Sequence, residues 1–245
     1  MSLVVVQIYH DALHSIRFNV GQIELRYDGW ARGEKGYSYM NLTVDVISDV
    51  ICPWCYIGKR RLEKAIATLD RQQEVRVHWL PFQLNPTMPK EGINRREYRT
   101  AKFGSWERSL ELDAKMIAVG ESEGIHFAFD RNERTPNTLD AHRLIWLADK
   151  QCVQDGVVEA LFRAYFSDGR DIGNRQTLID VVAEAGLNRE QAGALLNCDE
   201  GMEAIREAND LARQLRVEGV PFFIVNGKVT LSGAQQPEAF FEAFG

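Results

Sequence analysis

Apolar and polar residues alternate at the start of "NLTVDVISDV", which puts Leu42, Val44 and Val46 on one face of a strand. "GKRRLEKAIATLD" then repeats its apolar residues at helical spacing, with Leu62, Ala65, Ile66 and Leu69 on one side. "VRVHWLPFQL" returns to a strand pattern and is closed by Pro86 and Pro89. Residues 41–85 therefore read β–α–β, and a right-handed parallel crossover is the expected connection. From residue 92 to about 213 the period changes. "REYRTAKFGSWERSLELDAKMIAVGESEG", "NTLDAHRLIWLADKQ", "GVVEALFRAYFSDG", "NRQTLIDVVAEAGL", "REQAGALLN" and "EGMEAIREANDLARQL" all carry helical patterns, separated by glycines. Strands return in "PFFIVNGKVTLSG", where Asn226-Gly227 is a strong hairpin signal. "QQPEAFFEAFG" closes the chain as a helix with Pro237 in its first turn.

The predicted organisation is an α/β domain split by a helical insertion. Residues 40–86 and 214–245 supply β–α–β and β–β–α, and residues 87–213 form the inserted helical subdomain. Residues 1–39 differ from both. They include the glycine-rich "DGWARGEKGYSY", and "SIRFNVGQIELRY" could turn as a hairpin near Gly21. They read as an N-terminal extension to which the sequence gives no role.

Composition narrows the function classes. The 245 residues are 45% apolar and 26% charged, with a net charge of −6. That balance offers no general attraction to nucleic acid or anionic lipid. No apolar run is long enough to cross a bilayer. The opening "MSLVVVQIYHDALHS" lacks the basic start and long apolar stretch of a signal peptide, so a cytoplasmic protein is expected. Four cysteines in that compartment read as thiols and not as a disulfide framework.

Cys52 and Cys55 stand two residues apart in "SDVICPWCYIG", between a strand and a helix. Structural zinc needs about four ligands. Cys152 and Cys198 are solitary, and His10, His14, His78, His126 and His142 contain no ligand-spaced pair, so no metal is expected. Two inert buried thiols are a second reading. A dithiol exchange site is the third. A cysteine at a helix start meets unpaired N–H groups and the positive end of the dipole, which favour a thiolate. Pro53 suits the first helical turn. Cys55 follows one turn later, within reach of a mixed disulfide on Cys52.

The pair "DVICPWCYIG" and "GVPFFIVNGK" resembles the thioredoxin superfamily, and the long helical insertion resembles its DsbA-like branch. "PFQLNP", "TPNTLDAHRLIWLA", "LFRAYFSDGRDIGN" and "SGAQ" bring it closer to cytoplasmic FrnE-like members. These are similar to 2-hydroxychromene-2-carboxylate isomerases and kappa-class glutathione transferases. The resemblance implies a thioredoxin fold with Cys52 as attacking thiol and Cys55 as resolving thiol. It also implies a cis Val220-Pro221 loop facing the cysteines and pairing with a substrate backbone. Trp54, Asn137 and His142 become candidate substrate contacts, and Asn85 a candidate cleft residue. Each has a plainer reading: Trp54 as a modulator of the two thiols, Asn137 or Thr138 as a helix cap, His142 as a packed surface residue, and Asn85 as a turn former before proline. Cys152 and Cys198 are expected to fill the helical core, and Phe222 and Phe223 the strand core.

The leading expectation is a thiol–disulfide oxidoreductase or isomerase acting on protein or small-molecule disulfides, with no tightly bound cofactor and glutathione as a candidate redox partner. A glutathione-dependent isomerase or transferase is the alternative enzyme. Such relatives commonly carry serine at the first cysteine position, whereas this chain keeps both thiols. A binding or chaperone-like module is the non-enzymatic alternative. The sequence sets no oligomeric state.

Overall fold

The computed structural model describes residues 42–70, 74–214 and 216–245. The extension before residue 40, and the hairpin expected near Gly21, lie outside the described residues. Strand β1 (Leu42–Ser48) is followed by helix α1 (Pro53–Ile66) and strand β2 (Val75–Pro81). β1 and β2 pair in parallel, with Val44 opposite Val77 and Val46 opposite Trp79. β2 ends at Pro81, short of the apolar run that continues to Leu84. Its partner stops at Ser48, whose carbonyl accepts from the Phe82 N–H at 3.0 Å, and the two donors after that turn to side chains. The Leu84 N–H donates to Asp49 Oδ2 at 2.8 Å, and that of Gln83 to Asn209 Oδ1.

At the other end of the chain, β5 (Phe222–Val225) and β6 (Val229–Ser232) form a hairpin. Asn226 and Gly227 are both left-handed there, at φ 50° and 64°, as a two-residue hairpin turn requires. Helix α9 (Pro237–Phe244) follows. β5 lies antiparallel to β1, so the sheet order is β2-β1-β5-β6. Alternation along the strands makes two cores. Val44, Val46, Phe223 and Val225 join Leu62, Phe240 and Phe162 in the larger one. Ile47, Phe222 and Ile224 meet Phe82, Ala212 and Val217 in a smaller one on the opposite face.

Between β2 and β5 lie α2 (Arg95–Phe103), α3 (Trp106–Ser122), α4 (Leu139–Lys150), α5 (Gln154–Phe166), α6 (Arg175–Glu184), α7 (Arg189–Leu196) and α8 (Met202–Gln214). The long helical run expected after residue 95 is two helices. Gly104 at φ 91° ends α2, and Ser105 caps α3 by accepting from the Arg108 N–H. A two-residue ladder, β3 (Ile93–Asn94) with β4 (Arg134–Thr135), was too short to announce itself as a pattern.

α1 is tied to α5 by buried charge. Lys59 is 2% exposed, and its Nζ lies 2.5 Å from Glu63, 3.0 Å from Asp155 and 3.7 Å from Glu159. Trp79 Nε1 donates to the same Asp155 at 3.0 Å, and the Tyr56 hydroxyl to Glu159 at 3.0 Å. Burial alone would discharge Lys59. The surrounding carboxylates outweigh it and raise its pKa above the ordinary lysine value.

Cys152 and Cys198 do not fill the core. Both are exposed. Cys152 sits just past the end of α4 in a left-handed turn at φ 58°, and Cys198 lies beyond the end of α7. Helix ends carry these thiols out of the packed stripes.

Candidate active site

Cys52 is the N-cap of α1, with extended dihedrals (φ −93°, ψ 111°) and Pro53 opening the helix behind it. Its N–H donates to the Asp49 carbonyl at 3.0 Å. Its own carbonyl accepts from Cys55 at 3.0 Å and from Tyr56 at 3.4 Å. These bonds fix the junction so that both sulfurs sit at the first turn. Neither cysteine is in a disulfide. Cys52 is 6% exposed and Cys55 is 0%.

The β5 end supplies the opposite wall. The Val220–Pro221 peptide is cis, the isomer implied by the resemblance. The Cys52 thiol donates to the Val220 carbonyl at 3.4 Å across the gap. Gly58 makes this approach possible. A Cβ there would lie 2.9 Å from Pro221 Cγ and 3.1 Å from Phe223 Cζ. Glycine inside a helix costs about 1 kcal/mol relative to alanine, so its presence answers to this contact.

The two thiols differ in environment. Burial first, then the hydrogen bond and charge of Cys52, push the Cys55 thiol well above its ordinary value. A bond from the Asp49 backbone opposes them, and the Asp49 charge adds to the rise. Asp49 is fully buried, and its Oδ1 is 3.4 Å from His142 Nε2. His142 is 2% exposed, and this nitrogen has no hydrogen-bond partner. It is not the packed surface residue that its position near the start of α4 suggested, because α4 turns it inward.

The remaining candidates are exposed or hold local partners. Trp54 is 44% exposed beside Cys52. The Asn137 amide is spent locally: Nδ2 donates to the Met88 carbonyl at 2.6 Å, and Oδ1 accepts from the Leu139 N–H at 2.9 Å. Asn85 Oδ1 accepts from the Tyr98 hydroxyl at 2.7 Å. The structure thus brings together Cys52, Cys55, Val220, Pro221, Asp49 and His142. Sequence reasoning missed Asp49 and Gly58. Asp49 left one signal, a carboxylate set within the apolar run "VISDVI".

A thioredoxin-type sheet and a dithiol at a helix start, facing the entrance of β5, define the class. The model of the DSBA-like thioredoxin domain matches residues 43–245, and the chain belongs to that family. In sequence it is similar to the uncharacterized protein YwbO of Bacillus subtilis, 25% identical over 205 residues, 83% of this chain and 96% of that one. In structure it is similar to a probable DsbA oxidoreductase from Streptomyces coelicolor. There the TM-score is 0.76 and the identity 32%, over 83% of this chain and 88% of the other. The cytosolic disulfide reductase DsbM of Pseudomonas aeruginosa shares the fold, with TM-score 0.58 and 20% identity over 82% of this chain and 97% of its own. Among the described residues, no helix is long and apolar enough to cross a membrane.

Proposed function

We propose that the protein is a thiol–disulfide oxidoreductase working through Cys52 and Cys55. One observation carries this reading: the less buried thiol begins a helix 3.4 Å from the Val220 carbonyl, with a fully buried second thiol one turn on. In the reducing direction, the Cys52 thiolate attacks one sulfur of a substrate disulfide. A Cys52–substrate disulfide forms, and the other substrate sulfur leaves as thiolate. Cys55 then loses its proton and attacks Cys52 Sγ. The substrate departs as its second thiol, and the protein holds a Cys52–Cys55 disulfide. The reverse sequence oxidises a dithiol.

The Cys55 proton needs an acceptor in a dry interior. Asp49, whose charge acts on that thiol, is the proposed acceptor, with His142 behind it. Val220 offers an extended substrate a backbone edge in the manner of an added strand, and Trp54 offers an exposed ring beside the reacting sulfur. Glutathione is the proposed small thiol that recharges the pair. DsbM, of similar fold, has been solved with GSH. A cytoplasmic setting suits the exposed thiols Cys152 and Cys198, which a reducing compartment keeps unpaired.

Insulin reduction with dithiothreitol tests the reading. Wild type is expected to accelerate it and Cys52→Ser to be inactive. Cys55→Ser is expected to accumulate a mixed disulfide visible by mass spectrometry. Full turnover in Cys52→Ser would overturn it.

A further inference from the structure

A cavity of about 660 Å³, lined by none of the thiol-site residues, lies between the start of α2, one side of α3 and the short helix at Phe129–Arg131. That volume lies within the usual range for small-molecule sites. Its apolar walls include Trp106, Phe129 and Leu110, the last 47% exposed.

Its polar groups are under-used. Arg95 is 5% exposed, and its guanidinium lies 5.6 Å from the centroids of both Trp106 and Phe129. Of five N–H donors, one is spent on the protein, from Nη2 to Asp113 Oδ2 at 2.5 Å, among the described residues. Asp113 is shared, since Arg99 Nη2 lies 2.6 Å from its other oxygen. Two guanidinium groups thus share one carboxylate, and one positive charge is left over in a largely buried place. Beside it, Asn132 is 8% exposed, and both of its amide atoms are buried without a partner. An unpartnered buried amide and an unbalanced buried cation each cost free energy in a structure with nothing to bind.

We propose that this cavity is a binding site for a small aromatic monocarboxylate. Its ring lies against Trp106 and Phe129. Its carboxylate takes N–H donors from Arg95, in the two-pronged geometry that guanidinium favours, and from the Asn132 amide. The cluster of Arg95, Arg99 and Asp113 carries one net positive charge to match it, and the exposed Arg96 stands at the lining as a further cation. Asp130 and Glu133 stand exposed at the lining and repel a dianion. The site does not depend on the thiol chemistry, and Cys52→Ser is expected to bind as wild type does.

Calorimetric titration of the full chain with 1-naphthoate, 1-naphthamide and inorganic phosphate tests the proposal. Naphthoate is expected to bind once per chain and to quench tryptophan emission. Naphthamide, lacking the charge, is expected to bind at least about tenfold more weakly, and phosphate not at all. Asn132→Leu keeps the side-chain size and removes the unpartnered amide. Naphthoate affinity should fall about tenfold while Tm holds or rises. Arg95→Lys keeps the charge and loses the fork, and it should also weaken naphthoate. Equal affinity for naphthoate and naphthamide would overturn the proposal. So would phosphate binding as tightly as naphthoate, Asn132→Leu lowering Tm with unchanged affinity, or no naphthoate binding at millimolar concentration.

Discussion

Cys52 and Cys55 are chemically alike and physically distinct. The difference is where each sulfur meets the protein: Cys52, 6% exposed, on the Val220 carbonyl, and Cys55 fully buried one turn on. Because burial and the Cys52 sulfur raise the Cys55 thiol well above its ordinary value, Cys55 stays protonated through neutral pH. Iodoacetamide at pH 6 to 8, read by peptide mass spectrometry, is therefore expected to modify Cys52 first. Modification of Cys55 ahead of Cys52 would reverse their assigned roles. In the proposed mechanism Asp49 acts on the second step. Asp49→Asn removes the acceptor while retaining an amide that can still meet the Leu84 N–H. It should slow release of a Cys52 mixed disulfide by about a hundredfold, the lower end of the range for positioned general bases. The initial attack by Cys52 should be nearly unchanged. Equal release rates in stopped-flow measurements would remove Asp49 from the mechanism.

At the scale of elements, the site is where α1 and the β5 entrance come close. Gly58→Ala puts a methyl 2.9 Å from Pro221 Cγ, so helix or loop must shift. Alanine should gain about 1 kcal/mol of helix propensity, yet overpacking of about 1–3 kcal/mol is expected to win. The variant should show a lower Tm and slower disulfide exchange, and an unchanged rate would mean that the Cys52–Val220 spacing is not critical. The β–α–β and β–β–α halves were legible because strands and helices print their periods on the chain, and Asn226-Gly227 names its own turn. The dithiol was legible because Cys52 and Cys55 fall at a period change. Asp49 facing His142 was not, because one follows β1 and the other lies on α4, and only the packing of the helical layer makes them neighbours. The outward placement of Cys152 and Cys198 was equally hidden. A cysteine at a helix end has the same composition signature as one in a core.

For the whole molecule, charged ties join the sheet to the helices between its halves. His78 on β2 lies 3.4 Å from Asp45 on β1 and 3.5 Å from Asp149 on α4. Burial works against its charge, but the bonds and charges of Asp149 and Asp45 outweigh it and raise its pKa to about 9. The raised value makes the protonated form stabilising. Its contribution is complete below about pH 6.5, the unfolded value, and is lost as pH climbs through about 9. The Tm difference between wild type and His78→Gln is expected to shrink over that interval, modestly because the ring is a third exposed. A difference that grew with pH would contradict the assignment. The central claim, that Cys52 and Cys55 form one redox couple, is tested most directly by titrating the protein against reduced and oxidised glutathione and counting free thiols by mass spectrometry. The expected result is a single two-electron transition that loses both thiols together and joins Cys52 to Cys55. A protein that instead kept Cys55 free and carried glutathione on Cys52 at every ratio would contradict it.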